Sequence, residues 1–207
     1  MVSELVVYVV TTRRRSESLF PYVLRANHLA ADYYPNNDSD IRSGEVASWF
    51  MAVANRMGNV QLAMIRVRLG NQTISPPNES QALPSPAPTI TEFERFIQNN
   101  ETWEIPFIWQ ISNATTTNGS TEIVELRINN QTFHENGLSG QNGYNYQFII
   151  ELWTWNEDSA SLQFGWLSGS EHRVAWLQIC LYPSFFARFG NSHNRFSSQS
   201  YWFEASY

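Results

Sequence analysis

Asparagine side chains offer the clearest chemistry in this chain, because seven of them begin the triplet Asn-X-Ser/Thr without a proline at the middle position. That triplet accepts N-linked glycans only where it meets a glycosylation machinery, outside the cytoplasm. The seven sites are Asn37, Asn71, Asn78, Asn100, Asn113, Asn118 and Asn130. The alternative is a composition that is merely rich in Asn, Ser and Thr. We favour glycosylation, which predicts an extracytoplasmic, cell-surface protein.

Residues that could catalyse a reaction are scattered along the chain. The four histidines stand at positions 28, 134, 172 and 193, without the spacing of metal ligands. Glu101 with Glu104, and Glu122 with Glu125, are each three residues apart, so on a strand the two carboxylates would face opposite sides. A nucleophile elbow, a glycine-rich phosphate loop and a Cys–His pairing are all missing from the sequence. We therefore predict a non-enzymatic protein without a metal or a cofactor.

Charge narrows the range of partners. The net charge is −6, which argues against nucleic acid, and all 13 basic residues are arginine. The absence of lysine excludes Schiff-base chemistry and the lysine of a phosphate loop. Residues 13–15 form the only basic run; it is typical of a solvated strand end, although it could also lie against an anionic membrane surface. Cys180 is the only cysteine, so no disulfide framework is possible within the chain.

Tryptophan is the other abundant residue that could recognise a ligand. Trp153 and Trp155 share one face of a predicted strand, opposite an apolar row that begins at Tyr144. If that row is the core, the two indoles are exposed or covered by another segment. Exposed indoles on a sheet can bind sugar rings or a protein partner. The alternative, which we favour, is a strand that is buried on both faces.

The elements that must position these side chains are mostly strands. Period-two alternation and β-branched runs predict eight or nine of them, with polar turns between, and a hairpin turn at residues 56–59. This pattern indicates an all-β fold, an antiparallel β-sandwich of immunoglobulin-like type. The predicted strands cover residues 5–10, 19–24, 45–55, 60–69, 102–111, 122–128, 144–155, 161–166 and 173–181.

Two segments depart from the strand pattern. We assign residues 1–182 to the sandwich, with a Pro-rich insertion loop at residues 71–101 that holds five of the nine prolines. Thr91-Glu-Phe-Glu spells a capping box, and Phe93, Phe96 and Ile97 follow at helical spacing, which predicts one short helix. Residues 183–207 form an aromatic C-terminal tail that either packs on the sandwich or meets a partner.

Five short blocks of the chain form a recognisable set: Val7-Tyr-Val-Val-Thr-Thr-Arg, Glu17-Ser-Leu-Phe, Ala30-Ala-Asp-Tyr-Tyr-Pro, Ser43-Gly-Glu and Asn100-Glu-Thr-Trp-Glu-Ile-Pro-Phe. Over about residues 4 to 182, these blocks resemble an archaeal family of membrane proteins, the domain of unknown function sixteen-sixteen, and most of all its members from ammonia-oxidising archaea. The resemblance implies a soluble β-rich domain that follows membrane helices. It implies no catalytic residues, since none are established for the family. The chain has no apolar run of about 18 residues and no signal peptide, so we expect the membrane helices to lie upstream.

Three functions remain open at this point. The first is a glycosylated domain of a membrane-anchored archaeal envelope protein, either structural or bound to an envelope or membrane protein partner. The second is a self-associating filament subunit, in which the apolar strand at residues 5–10 inserts into a neighbour's open sheet edge. The third is a carbohydrate-binding module or glycan-active enzyme that uses Trp153, Trp155 or Trp166.

Overall fold

The computed structural model describes residues 17–25, 28, 40–118, 120–134, 139–141 and 146–183, without the side chains of residues 25, 40, 139–141 and 178–183. Within these ranges the chain forms fourteen strands and no helix, and therefore no helix able to span a membrane. The strands are β1 Leu19–Arg25, β2 Asp40–Ile41, β3 Val46–Asn55, β4 Gln61–Asn71, β5 Thr89–Ile97, β6 Thr102–Thr117, β7 Ser120–Ile128, β8 Gln131–His134, β9 Ser139–Gln141, β10 Tyr146–Asn156, β11 Ser161–Phe164, β12 Trp166–Ser168, β13 Glu171–Arg173 and β14 Trp176–Pro183. The predicted strand at residues 5–10 and the predicted tail after residue 183 lie outside the described residues, as does the site at Asn37.

The strands form two six-stranded sheets, as predicted for an antiparallel sandwich. The first sheet has the order β1-β3-β6-β7-β8, and β9 also pairs with β7. The second has the order β2-β14-β10-β4-β5, and β11 also pairs with β10. Strands β12 and β13 form a separate hairpin, and the β14–β2 pair is the only parallel one among the described strands.

The core lies between the inner faces of the two sheets. The side chain of Phe148 on β10 meets three aromatic rings of the first sheet edge-on, with centroid distances of 6.0 Å to Trp49, 5.5 Å to Phe107 and 5.2 Å to Trp109. All four residues are buried. Alternation along β10 puts Tyr146, Phe148, Ile150 and Leu152 on this inner face, which confirms the apolar row predicted for those positions.

The hairpin predicted at residues 56–59 is wrong. Strand β3 pairs with β1 and β6 in the first sheet, whereas β4 pairs with β10 and β5 in the second. The connection is therefore an arch between the two sheets, and Gly58 allows it with a φ of +84°. The buried Asn55 side chain supports the arch by donating to the carbonyls of Asn59 and Ile97 at 2.8 and 2.9 Å.

The short helix predicted at Thr91 is also wrong, because this segment is strand β5. A spacing of four residues fits both a helix and a strand, and Phe93 and Ile97 share the inner face of the strand and pack on the core. Phe96 lies on the outer face and is 64% exposed. The segment forms a strand because its pairing with β4 outweighs the local capping sequence, which favours a helix.

Gly165, between β11 and β12, allows a close approach of two backbone segments. Its φ is +90°, and a Cβ atom there would lie 2.1 Å from the carbonyl oxygen of Arg173. We expect Gly165→Ala to lower the free energy of unfolding by about 2 to 3 kcal/mol in urea denaturation. Gly58→Ala is the matched control, because Gly58 has a similar φ but no atom within 4 Å of the added Cβ, and it should cost about 1 kcal/mol. Equal losses in the two variants would show that the close approach contributes nothing.

Candidate functional site

The outer face of the second sheet carries the side chains that the sequence singled out. On β10 this face presents Gln147, Ile149, Glu151, Trp153 and Trp155, which alternate with the core residues. The two predicted tryptophans therefore do share a face opposite the apolar row. Their surroundings differ, because one half of the face is covered and the other half is open.

The covered half lies under residues 72–88, which we call the strap. Strand β10 meets the strap through Glu151, whose side chain has no exposed surface. Its Oε1 accepts a hydrogen bond from the backbone N–H of Ser85 at 2.7 Å, and its Oε2 accepts one from Arg68 Nε at 2.8 Å. Arg68 also donates to the carbonyl of Ala87 at 2.6 Å, so the buried ion pair ties the strap to both β4 and β10. Ile149 is fully buried beside it, although it points away from the core.

Trp153 belongs to this covered half. Its Nε1 donates to Glu151 Oε2 at 3.0 Å, and the guanidinium carbon of Arg66 lies 3.9 Å from the centroid of its ring. Arg66 in turn pairs with Glu92 at 2.6 Å. Since one ring face carries a cation and the indole N–H donates to Glu151, Trp153 is held in place on the sheet. Trp153 is half-buried, which lies between the exposed indole and the strand buried on both faces that the sequence left open.

Trp155 belongs to the open half and is 45% exposed. It lines a groove of about 570 Å³, which we call the Trp155 groove. Three more exposed apolar side chains line the same groove: Val60, Phe96 and Leu167. The described chain exposes eight large hydrophobic side chains, and half of them meet here, which marks the groove as a contact surface.

Polar side chains complete the lining of the Trp155 groove. They are Asn59, Gln61, Thr154, Asn156, Glu157 and Asp158. Asn156 orders its own loop, since its Oδ1 accepts the backbone N–H groups of Asp158 and Ser159 and its Nδ2 donates to Gln163. Glu157 and Asp158 stand exposed at the rim. Among the described residues that line the groove, they are the only ionisable ones, and their charges make this part of the lining negative.

Sequence reasoning missed three of the four exposed apolar residues of the groove. Phe96 was assigned to a helix, which hid its place on the outer face next to Leu62 of β4. Val60 and Leu167 are far apart in the sequence, and no local pattern predicts that they lie close together. Trp166, another predicted ligand-binding tryptophan, is 6% exposed and packs in the core.

Among the described residues, no group of three or more His, Cys, Asp or Glu side chains is arranged to hold a metal ion. His28 lies 3.7 Å from Glu104 and stacks on Phe50, and His172 contacts the carbonyl of Phe164 at 2.7 Å. These histidines are therefore held apart, each in its own local contact.

The predicted glycosylation sites that the structure describes fall into two groups. Asn78, Asn100, Asn113, Asn118 and Asn130 are exposed, and three of them have positive φ angles typical of turns. Asn71 is only 8% exposed, and its Oδ1 accepts both the backbone N–H and the hydroxyl of Thr73, at 3.0 and 2.8 Å. We therefore expect a glycan to fit less easily on Asn71 than on the exposed sites.

Comparison with known proteins adds little beyond the architecture. No protein-family model and no curated protein sequence matches the chain. The chain is similar to the CARDB domain of a Pyrococcus furiosus protein solved with di-metal ions, with 10% identity over 84% of this chain and 100% of that one and a TM-score of 0.39. It is also similar to the sporulation control protein Spo0M of Bacillus subtilis, with 10% identity over 79% of this chain and 90% of that one and a TM-score of 0.28. At these TM-scores neither likeness carries an argument about function.

Proposed function

We propose that this chain is a non-enzymatic, N-glycosylated, extracytoplasmic binding domain with an immunoglobulin-like sandwich. In the full-length protein it would be anchored in an archaeal membrane by upstream helices, as the resemblance to the sixteen-sixteen family implies. The Trp155 groove is the observation that carries the binding role, because Trp155, Phe96, Val60 and Leu167 expose apolar surface together at one place. Its partner is a component of the cell envelope.

The exposed positions of five glycosylation sites support the location outside the cytoplasm. Asn78 stands on the strap, Asn113 on β6, and Asn100, Asn118 and Asn130 at the turns after β5, β6 and β7. Among the described residues, those that line the Trp155 groove include none of the predicted sites, so glycans on the other described surfaces would leave it open to a partner.

Glycopeptide mass spectrometry on the native protein tests this proposal. We expect glycans on several of the five exposed sites and a bare Asn71, which is only 8% exposed. Asn78 is the matched control, since it lies on the strap, which directly follows Asn71, but is exposed. The same measurement gives the native N-terminus, where membrane helices should precede residue 1. Bare asparagines at all of the exposed sites, with a native start at Met1, would contradict the proposal.

A filament subunit remains the second candidate, because β5 pairs only with β4 among the described strands and so offers an edge to an added strand. The donor would be residues 5–10 of a neighbouring copy. Size-exclusion chromatography and electron microscopy of the full chain separate the two candidates. Concentration-dependent fibres that disappear when residues 1–12 are deleted would favour the filament, and a stable monomer would exclude it.

A further inference from the structure

We infer that the ligand of the Trp155 groove is a neutral or amino-sugar oligosaccharide. This inference rests on the proposed binding role of the groove and names the chemical class of its partner. Of the three tryptophans predicted to bind a sugar, only Trp155 has the surface for it. Trp166 is 6% exposed, and one face of Trp153 is covered by Arg66.

The apolar lining suits the face of a sugar ring. A pyranose presents C–H groups on its flat faces, and these carry partial positive charge that is attracted to the negative face of an aromatic ring. Trp155 and Phe96 offer two such rings on one groove, from β10 and β5, with exposed fractions of 45% and 64%. A groove of about 570 Å³ lies within the range of small-ligand sites, and its open form admits a chain of sugars as well as a single unit.

The polar lining suits the edge of a sugar ring. Sugar hydroxyls donate and accept hydrogen bonds, and the carboxylates of Glu157 and Asp158 are strong acceptors placed at the rim. Asn59 and Gln61 add amide groups, which both donate and accept. The ring stack and the polar rim are therefore available to the same ligand.

Charge selects among the sugars. The described part of the lining has two carboxylates and no arginine, so a uronic or sialic acid would be repelled and a neutral or amino sugar would not. The same argument disfavours phosphate-bearing ligands. A protein partner with a flat surface could also contact the apolar residues. The combination of two exposed aromatic rings with hydrogen-bond acceptors in the same lining suits a sugar better.

Isothermal titration calorimetry on the full chain tests the inference. The probes are pentasaccharides of mannose, glucose and N-acetylglucosamine, a chitosan pentamer, and oligogalacturonate as the acidic counterpart. We expect at least one neutral or amino-sugar probe to bind and Trp155→Ala to weaken it by about tenfold, since a lost ring stack is worth roughly 1.4 kcal/mol. Phe96→Ala should weaken the same probe.

Ile108→Ala is the matched control, because Ile108 is equally exposed, at 45%, but lies on β6 in the other sheet. Its binding should equal that of the wild type. Oligogalacturonate should bind more weakly than the neutral probes, and the combined change Glu157→Gln and Asp158→Asn should reduce that difference. Circular dichroism of each variant confirms that the sandwich is intact.

The inference is overturned if no neutral or amino-sugar probe binds at about 1 mM, or if the affinity survives Trp155→Ala. Glycopeptide mapping keeps the two proposals separate. Glycans on the native protein without any sugar binding would leave the envelope location standing and remove the sugar ligand. Sugar binding by a protein that carries no glycans would support the sugar ligand and remove the envelope location.

Discussion

Replacing Glu151 with alanine is expected to lower the free energy of unfolding by about 3 to 5 kcal/mol, because the variant leaves the buried charge of Arg68 without its partner. Glu151 has no exposed surface and accepts hydrogen bonds from Arg68, Trp153 and the backbone of Ser85. The N–H groups of Arg68 Nε, Trp153 Nε1 and the Ser85 backbone would all lose this acceptor. Urea denaturation measures the loss, and digestion with a non-specific protease should cut the strap faster in the variant.

An exposed ion pair provides the control for Glu151. Arg173 and Glu171 lie 2.9 Å apart with side chains 39% and 69% exposed, so Glu171→Gln should change stability by less than about 0.5 kcal/mol. The double variant Arg68→Met, Glu151→Leu removes both buried charges and should be more stable than Glu151→Ala. A loss below about 1 kcal/mol for Glu151→Ala would show that water reaches the pair and that the strap is not tied there.

Phe148→Ala is expected to cost about 3 to 5 kcal/mol, as large-to-small changes of buried aromatic residues do. Phe148 is the ring through which β10 contacts Trp49, Phe107 and Trp109 of the opposite sheet. Its removal leaves a cavity between two sheets that cannot both collapse onto it. The change is measured by urea denaturation and by the near-ultraviolet circular dichroism of the tryptophans.

Phe20→Ala is the comparison for Phe148. Phe20 lies on the edge strand β1 and is 44% exposed, so its loss should cost less than about 1 kcal/mol. Phe148→Leu keeps much of the volume and should fall between the two alanine variants. A cost below about 1.5 kcal/mol for Phe148→Ala would mean that the aromatic cluster repacks and does not depend on this ring.

Strands with a clean period of two could be predicted from the sequence. The inner face of β10 is an example, since Tyr146, Phe148, Ile150 and Leu152 alternate with residues of the other face, and the alternation survives folding. The helix at Thr91 was predicted wrongly because the spacing of Phe93 and Ile97 satisfies both periods. Only pairing with β4, which is a non-local event, decides between them.

The site was less predictable than the fold. Trp153 and Trp155 have the same periodicity, but Arg66 covers one face of the Trp153 ring whereas Trp155 is 45% exposed, and the sequence does not place Arg66 there. The strap itself was predicted as an extended surface loop from its prolines. Its attachment depends on Arg68 and Glu151, which meet across two strands far apart in sequence. Such contacts leave no local pattern from which to predict them.

The order of the second sheet has a consequence for how the chain folds during synthesis. Strand β4 pairs with β10, and partners such as Arg66 and Glu151 come from distant parts of the chain. Before β10 leaves the ribosome, the nascent β4–β5 hairpin has neither its neighbour in the sheet nor the carboxylate that ties down the strap. The centre of the first sheet, β3 with β6 and β7, is complete earlier. We therefore expect assembly of the second sheet to be the slow step, with a half-built intermediate that is prone to aggregate and is a natural client for chaperones.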